Sequence, residues 1–419
     1  MRDATPRVPS GYYSHGAKGV VGGAGRRRGA AATAQGRLGA RIRGWKMGNA
    51  GNMLGFGLMR LPENEIDGEK AIDIEQVKDM VDAFMRAGFT YFDTAFGYHG
   101  GRSEVVAKEA LVDRYPRESF QLATKLPAWM AKDADEAKRM FDVSLERTGA
   151  GYFDYYLLHN LGEDRTKLFD DFGLWDFAYD LRERGLVRKL GFSIHDKADA
   201  LEAVLAAHPD VDFVQLQINY ADWESPKIES RKCYEVARAR EVPVIVMEPI
   251  KGGSLVRLSD EARTPLAAAD PAQSAASWAL RFAASLPGVE RVLSGMSTAQ
   301  QMRENIDIMR DFAPMTSADL EVIEQVRAVL EREQRIPCTD CGYCLKGCPS
   351  GVRIPVILES LNIYALYDDL YRANENYEWN ASTGPASACI GCGACEDVCP
   401  QHIEIVGHLE KAKELFDGE

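Results

Sequence analysis

The sequence predicts an α/β protein: a (β/α)8 barrel followed by a small, mainly helical, cysteine-rich domain. Two observations carry this. Between Asn52 and Met309, short apolar runs alternate eight times with stretches of helical period, the alternation that a parallel barrel requires. Eight of the nine cysteines then fall in two runs near the C-terminus. A doubly wound open sheet is the competing fold, and no G-x-G-x-x-G follows the first strand to support it.

The elements follow in order. Residues 1–46 hold ten Lys/Arg against one acid, a balance of +9, so the rest carries −22 of the total −13. This leader is rich in Gly, Ala and Arg, without apolar period. It reads as a disordered basic segment or as translation begun upstream of Met47 or Met53; a nucleic-acid arm or transit peptide is the alternative. The barrel is expected over 47–316. Met53–Met59 reads as its first strand, and Ile74, Val77, Val81, Phe84 and Met85 line a helix ending at Gly88. Strands Thr90–Asp93, Phe120–Lys125, Tyr155–His159, Lys189–Ser193, Phe213–Gln217, Val242–Met247 and Arg291–Gly295 follow, each with a helix after it. A linking helix is expected over 317–332, with Ala318–Glu331 as its body, and the second domain over 333–419. Within that domain, Ile354, Ile357, Leu358, Leu361 and Ala365 mark a helix over Ile354–Tyr367. Tyr364, Tyr367, Tyr371, Tyr377 and Trp379 form a loose aromatic series, either electron relays or packing.

The cysteine runs are Cys338-x2-Cys341-x2-Cys344-x3-Cys348-Pro349 and Cys389-x2-Cys392-x2-Cys395-x3-Cys399-Pro400. The spacing resembles that of bacterial two-cluster ferredoxins, in which three thiolates hold one [4Fe–4S] cluster and the fourth crosses to the other. The expected sets are Cys338, Cys341, Cys344 and Cys399 for one cluster, and Cys389, Cys392, Cys395 and Cys348 for the second. Disulfides suit short secreted chains, and zinc sites pair two C-x-x-C knuckles or add histidines. Thiolate-bound clusters imply a reducing, cytoplasmic setting. The acidic body argues against nucleic acid as the main partner, and no apolar run approaches the ~20 residues of a membrane helix.

In a barrel, chemistry sits where strands end. Asp93, Tyr98, Lys125 and His159 occupy those positions after strands 2, 3 and 4. Each alone reads as a cap, rim packing, a snorkelling lysine or a core histidine. Together they form a set that protonates a carbonyl oxygen: a phenol, an ammonium that stabilises its phenolate, a carboxylate that orients the ammonium, and an imidazole beside the reacting oxygen.

At these residues the chain resembles the aldo-keto reductase family over roughly Met53 to Met309. The resemblance implies that Asp93, Tyr98, Lys125 and His159 are the catalytic tetrad and that a small-molecule aldehyde or ketone is reduced with NAD(P)H. It implies further that Ser193, in Gly191-Phe192-Ser193, and Gln215 hold the nicotinamide carboxamide. Pro249, Lys251, Gly252 and Gly253 lie over the pyrophosphate, Ser297 and Thr298 open the last barrel helix toward phosphate, and Asn305 belongs to the retained Glu304-Asn305 pair. Met247 stands where the family stacks a tyrosine, Ile194 replaces its asparagine, and Gly295 and Gln301 replace the lysine and arginine that hold a 2′-phosphate. The dinucleotide grip therefore reads as weaker than the catalytic corner.

Three functions stay open at this stage. One is an NAD(P)H-dependent carbonyl reductase with an electron-transfer module that serves a redox partner protein. A second is a ferredoxin-linked oxidoreductase carrying a flavin or another carrier at the barrel top. The third is a non-catalytic redox-responsive subunit. Phe96, Trp129, Trp175 and Trp223 are expected to line an apolar substrate pocket, and His195 to lie on the same face. The lone Cys233 reads as core filler.

Overall fold

Eight parallel strands close into a barrel: β1 (Leu54–Gly57), β2 (Tyr91–Asp93), β3 (Gln121–Leu126), β4 (Phe153–Leu161), β5 (Val187–Ile194), β6 (Phe213–Gln217), β7 (Val244–Met247) and β8 (Val289–Ser294). Each pairs with its sequence neighbour, and β1 closes the ring by pairing with both β2 and β8. The structure, a computed structural model, describes residues 52–66, 69–162, 165–333 and 336–418. The leader 1–46 lies outside the described residues.

Side chains alternate across a strand with period two, and this decides what the barrel holds. Tyr91, Ala123, Tyr155, Leu157, Phe213, Ile245 and Leu293 meet in one buried interior cluster. Tyr155 lies edge-on to Tyr91 at 4.9 Å and to Phe213 at 5.2 Å between ring centroids. The phenylalanine layer needs a bare backbone beside it: a Cβ on Gly191 would stand 2.5 Å from the Phe213 carbonyl oxygen. Residues of the same parity one layer further along are Asp93, Lys125, His159, Ser193, Gln215 and Met247. The alternation that fills the barrel thus aims the polar strand-end residues inward at its mouth.

The opposite parity packs the helices. Val77, Met80, Val81 and Phe84 of the helix Ile74–Arg86 are buried against the sheet, each contributing about 2 kcal/mol. Phe84 meets Phe92 at 5.2 Å and Phe56 at 5.9 Å. Asp73 caps this helix by accepting the Gln76 N–H, and Asp133 does the same for Ala134–Thr148 from Glu136. Cys233 is buried in this core. Trp175 is a core residue too, which corrects its expected place in a pocket, while Trp223 is half-buried against the core. Trp175 is buried between Phe192 and His208, and Trp223 packs on Tyr234 and Phe282; broad indoles fill the space between helices and sheet better than smaller rings do.

Some elements lack a sequence expectation. A two-stranded antiparallel hairpin pairs Glu63–Ile66 with Glu69–Ile72, and helices cover Arg165–Asp171, Asp260–Ala269 and Leu370–Ala381. The helix after the barrel runs Ser317–Glu333, and the next long one is Ile354–Tyr367.

The described chain divides into two compact units. One takes the chain through Asp340 and adds Asn362–Arg372; the other comprises Cys341–Leu361 and Ala373–Glu419. The added segment belongs to the barrel unit for visible reasons. Tyr367 is buried in the barrel's apolar core, and the Asn362 amide clasps Ile336, accepting its N–H at 3.0 Å and donating to its carbonyl at 2.8 Å. In the second unit, Tyr377 accepts the Ala386 N–H and donates to Asp417, a structural use of that aromatic position. Among the described residues, no helix is long and apolar enough to cross a membrane.

Candidate functional site

Register explains how the tetrad meets. Asp93 pairs with Ala123, so Lys125 sits one inward layer above Asp93 on the neighbouring strand and reaches back to it. The Lys125 ammonium is buried and donates three hydrogen bonds: to Asp93 Oδ1 at 2.5 Å, to the Thr94 carbonyl at 2.7 Å and to Tyr98 Oη at 3.2 Å. Three N–H donors thus find three acceptors. Asp93 Oδ2 accepts from Gln215 Nε2 at 3.3 Å.

Burial, the largest influence, pushes the Asp93 carboxyl up, against the pull of Lys125 and the Gln215 hydrogen bond. Burial also lowers Lys125, but Asp93 and Tyr98 more than offset it and hold the ammonium above its ordinary value. For Tyr98, burial raises the phenol while Lys125 pulls it down, with a net shift upward. A phenol raised in this way keeps its proton at neutral pH, and it has an ammonium in contact to stabilise the anion once the proton leaves.

His159 completes the corner. Its ring lies edge-on to Tyr98 at 5.9 Å and tilted to Trp129 at 5.2 Å. Burial, then the nearby Lys125 charge, drive its pKa well below the histidine range, so the imidazole is neutral. Its Nδ1 and the neighbouring Asn160 Oδ1 are buried and find no hydrogen-bond partner among the described residues. Of the four aromatic residues expected around the substrate, Trp129 is the one packed against the tetrad; Phe96 carries the Arg147 guanidinium on its face at 4.4 Å.

Sequence reasoning missed what places Tyr98. The turn Tyr98–Gly101 puts His99 at φ 50°, an unfavourable conformation for a side chain with a Cβ. His99 compensates through both ring nitrogens: Nε2 accepts the Leu61 N–H at 3.3 Å, and Nδ1 faces Glu63 at 3.3 Å. Below it, the fully buried Glu104 accepts from Thr124 at 2.7 Å and pairs with Arg147 at 3.3 Å. Arg147 also donates to the Phe96 carbonyl at 3.1 Å. No local motif signals these residues, because each partner comes from a distant stretch of chain.

The expected cofactor-binding residues surround the same mouth. Ser193 Oγ is buried and accepts the Asn160 N–H at 2.8 Å. Lys251 donates to the buried Asp222 at 2.6 Å. Gly252 and Gly253 take φ 64° and 101°, conformations open to glycine. Just past them, the Ser254 hydroxyl is buried without a hydrogen-bond partner among the described residues. Thr298 caps Ala299–Arg310 by accepting the Gln301 N–H. Ser297 donates to the Arg60 carbonyl at 2.8 Å, and the Gln301 side chain takes the Ser297 N–H at 2.8 Å. Asn305 is buried and donates to Ser294 Oγ at 2.9 Å, fixing the last helix to the end of β8. The orphaned groups of His159, Asn160 and Ser254, together with the open glycine loop, suit a ligand that brings an amide and phosphates.

In the second unit, residues 341–348 of the first cysteine run and 392–399 of the second fold alike. Gly342 and Gly393, at φ 71° and 75°, each start a one-turn helix, Tyr343–Lys346 and Ala394–Asp397. Each helix buries one cysteine, Cys344 or Cys395, while Cys341 and Cys392 are exposed. A small pocket is lined by Cys348, Cys389, Cys392 and Cys395, with Val352, Ile354, Val406 and Leu409 as its apolar wall. Backbone N–H groups of Val352 and Gly391 donate to the sulfurs of Cys348 and Cys389, both at 3.4 Å. None of these four cysteines is in a disulfide. Four thiols around an apolar cavity with N–H donors to sulfur fit a [4Fe–4S] cluster. Of the other expected set, Cys341, Cys344 and Cys399 belong to this unit and Cys338 to the barrel unit.

Residues 53–328 match the sequence model of the Aldo/keto reductase family, and residues 337–404 match that of the 4Fe-4S dicluster domain. An aldo-keto reductase of Mycobacterium avium is 26% identical over 273 residues, covering 65% of this chain and 85% of that protein. One from Mycolicibacterium smegmatis is 32% identical over 148 residues, 35% of this chain and 47% of its own length. Among solved structures, the holo form of aldo-keto reductase AKR11C1 from Bacillus halodurans matches with a TM-score of 0.53 at 21% identity, covering 65% of this chain and 91% of that one. An aldo-keto reductase from Klebsiella pneumoniae in complex with NADPH matches at 0.52 and 20%, covering 66% and 90%. At these identities the solved structures show the barrel fold.

Proposed function

We propose that this chain, which belongs to the aldo/keto reductase family, reduces an aldehyde or ketone to the alcohol with NAD(P)H and carries two [4Fe–4S] clusters that serve a redox partner protein. The observation behind the first half is the Lys125 ammonium bonded at once to Asp93 and to Tyr98 Oη. When bound, the reduced nicotinamide supplies a hydride, both electrons of the reduction, to the carbonyl carbon.

The protein's own residues handle the proton. Tyr98 accepts from Lys125, which leaves its O–H to donate to the carbonyl oxygen. As the C–O π bond breaks, that proton moves to oxygen and the phenolate remains beside the ammonium, which stabilises it. Asp93 and the Thr94 carbonyl hold the ammonium in place. The neutral His159 offers a second polar contact to the reacting oxygen without adding a competing charge. Proton return from solvent restores Tyr98. Ser193, Asn160 and Gln215 are the groups at hand for the carboxamide, and Gly252, Gly253, Ser254, Ser297 and Thr298 for the phosphates.

For the clusters we assign Cys348, Cys389, Cys392 and Cys395 to one and Cys338, Cys341, Cys344 and Cys399 to the other. The cavity and its N–H donors support the first set, and the matching spacing supports the second.

The test is Tyr98→Phe in anaerobically prepared protein. Carbonyl reduction falls by roughly a hundredfold or more while iron content and nucleotide affinity hold. Full turnover in that variant would sink the assignment. A second reading, a flavin or another carrier in place of a dinucleotide, rests on Met247, Gly295 and the uncharged Gln301, whose side chain accepts the Ser297 N–H. Identifying the organic cofactor released from purified protein separates the two readings.

A further inference from the structure

The glycine loop at the barrel mouth receives a cation from far along the chain. Lys251, the loop's own basic residue, donates to the buried Asp222 at 2.6 Å. Gly295 and Gln301 carry no charge themselves, and the Arg60 side chain packs against Gly295. Arg372, at the end of the segment Asn362–Arg372 that belongs to the barrel unit, instead lies directly on the loop. A methyl group on Gly252 would come within 2.5 Å of its Nε, 2.6 Å of Cζ and 2.9 Å of Nη2. The φ of 64° favours glycine at this position, and the guanidinium lies close against its bare backbone.

Arg372 is held at both its backbone and its side chain. Its Nη2 donates to Glu248 Oε2 at 2.7 Å, and its backbone N–H is accepted by Asp369 at 3.0 Å. Asp369 is itself buried and pairs with Arg257 at 3.5 Å. Glu248 also faces Arg60 at 4.0 Å. Beside it in the chain, Ser254 holds its buried hydroxyl without a partner among the described residues. A fixed guanidinium, an open glycine backbone and an unsatisfied hydroxyl together suit a phosphate better than any neutral group.

We propose that Arg372 is a pyrophosphate-binding cation of the dinucleotide site in this protein, delivered to the glycine loop by the segment between the two cysteine runs. This rests on the NAD(P)H reading. Arg372 then acts on cofactor affinity and has no part in proton transfer.

The experiment is fluorescence titration of the anaerobically prepared, cluster-loaded full chain with NADPH and, separately, with reduced nicotinamide riboside, which carries no phosphate. Arg372→Ala raises the NADPH dissociation constant roughly ten- to a hundredfold, the worth of one charged hydrogen-bonding group, and leaves the riboside unchanged. Arg372→Lys restores part of the affinity, since a point charge remains but the fork is lost. An unchanged NADPH-to-riboside affinity ratio in Arg372→Ala overturns the proposal, as does a loss that merely tracks a lower melting temperature. A wild-type protein that binds neither compound removes the nicotinamide reading as well.

Discussion

Lys125→Met is the most informative single perturbation, because the ammonium serves two neighbours with opposite needs. Met keeps a similar length and removes the charge. At 3.2 Å from Tyr98 Oη, and with an effective dielectric of about 20, a unit charge on each atom interacts by about 5 kcal/mol. Part of that is offset by relaxation and by Asp93 becoming protonated once its partner is gone. A loss of about 3–4 kcal/mol in stabilising the phenolate remains, which predicts a fall in kcat of roughly a hundred- to a thousandfold. The same substitution strands a buried carboxylate, at a cost of about 3–5 kcal/mol in stability if Asp93 stays charged. Adding Asp93→Asn removes that stranded charge. The double variant should regain most of the lost melting temperature while its kcat stays low. Steady-state reduction of a simple aldehyde and thermal denaturation of the same anaerobic samples give both readouts. A Lys125→Met protein whose kcat stays within about threefold of wild type would refute the role given to the ammonium, whatever its stability.

Two further outcomes follow from separate parts of the structure. Because Cys348 lines the same cavity as Cys389, Cys392 and Cys395, Cys348→Ser and Cys389→Ser should remove the same [4Fe–4S] signal in electron paramagnetic resonance, and the double variant should lose no more than either single one; Cys399→Ser should remove the other signal. His159 has its pKa held well below 6.5 by burial, so the unfolded chain takes up a proton near pH 6.5 while the folded chain resists it to lower pH. Its contribution to stability is therefore present above about pH 6.5 and declines as the pH falls toward the folded-state pKa. His159→Gln should show a shallower loss of melting temperature between pH 6.5 and 4.5 than wild type, and parallel curves would contradict the neutral buried imidazole.

How far the sequence could be read depended on the range of the forces involved. Strand and helix periods are both local, so β6 at Phe213–Gln217 and the helix Ile354–Tyr367 have the bounds their sequence predicts. The same alternation makes Asp93, Lys125 and His159 legible as inward residues. The hairpin Glu63–Ile66 and Glu69–Ile72 was hidden because its charged residues give no apolar alternation. The helix Asp260–Ala269 was masked by Pro265 in its interior. Arg372 could not be foreseen at all. Its partner Glu248 is 124 positions away, and neither local pattern nor propensity carries information over that distance. His99, Glu104 and Arg147 escape for the same reason.

A nicotinamide and a [4Fe–4S] cluster exchange electrons in different numbers, and for the proposed function that difference is itself testable. A hydride delivers a pair of electrons at once, and the tetrad of Asp93, Tyr98, Lys125 and His159 offers a proton donor and fixed charges but no site that holds a single electron. A [4Fe–4S] cluster accepts electrons one at a time. If NAD(P)H reacts at this barrel through the tetrad alone, adding NADPH anaerobically to oxidised, cluster-loaded protein should leave the visible absorption of the clusters unchanged, while dithionite bleaches it. Adding a carbonyl substrate should then consume NADPH with the cluster spectrum still constant. Bleaching by NADPH alone would mean that a carrier able to split an electron pair lies between nicotinamide and cluster, and would favour a flavin at the barrel mouth. The outcome turns on whether one-electron chemistry is available near Tyr98, which neither the phenol, buried and raised above its ordinary pKa, nor the neutral imidazole provides.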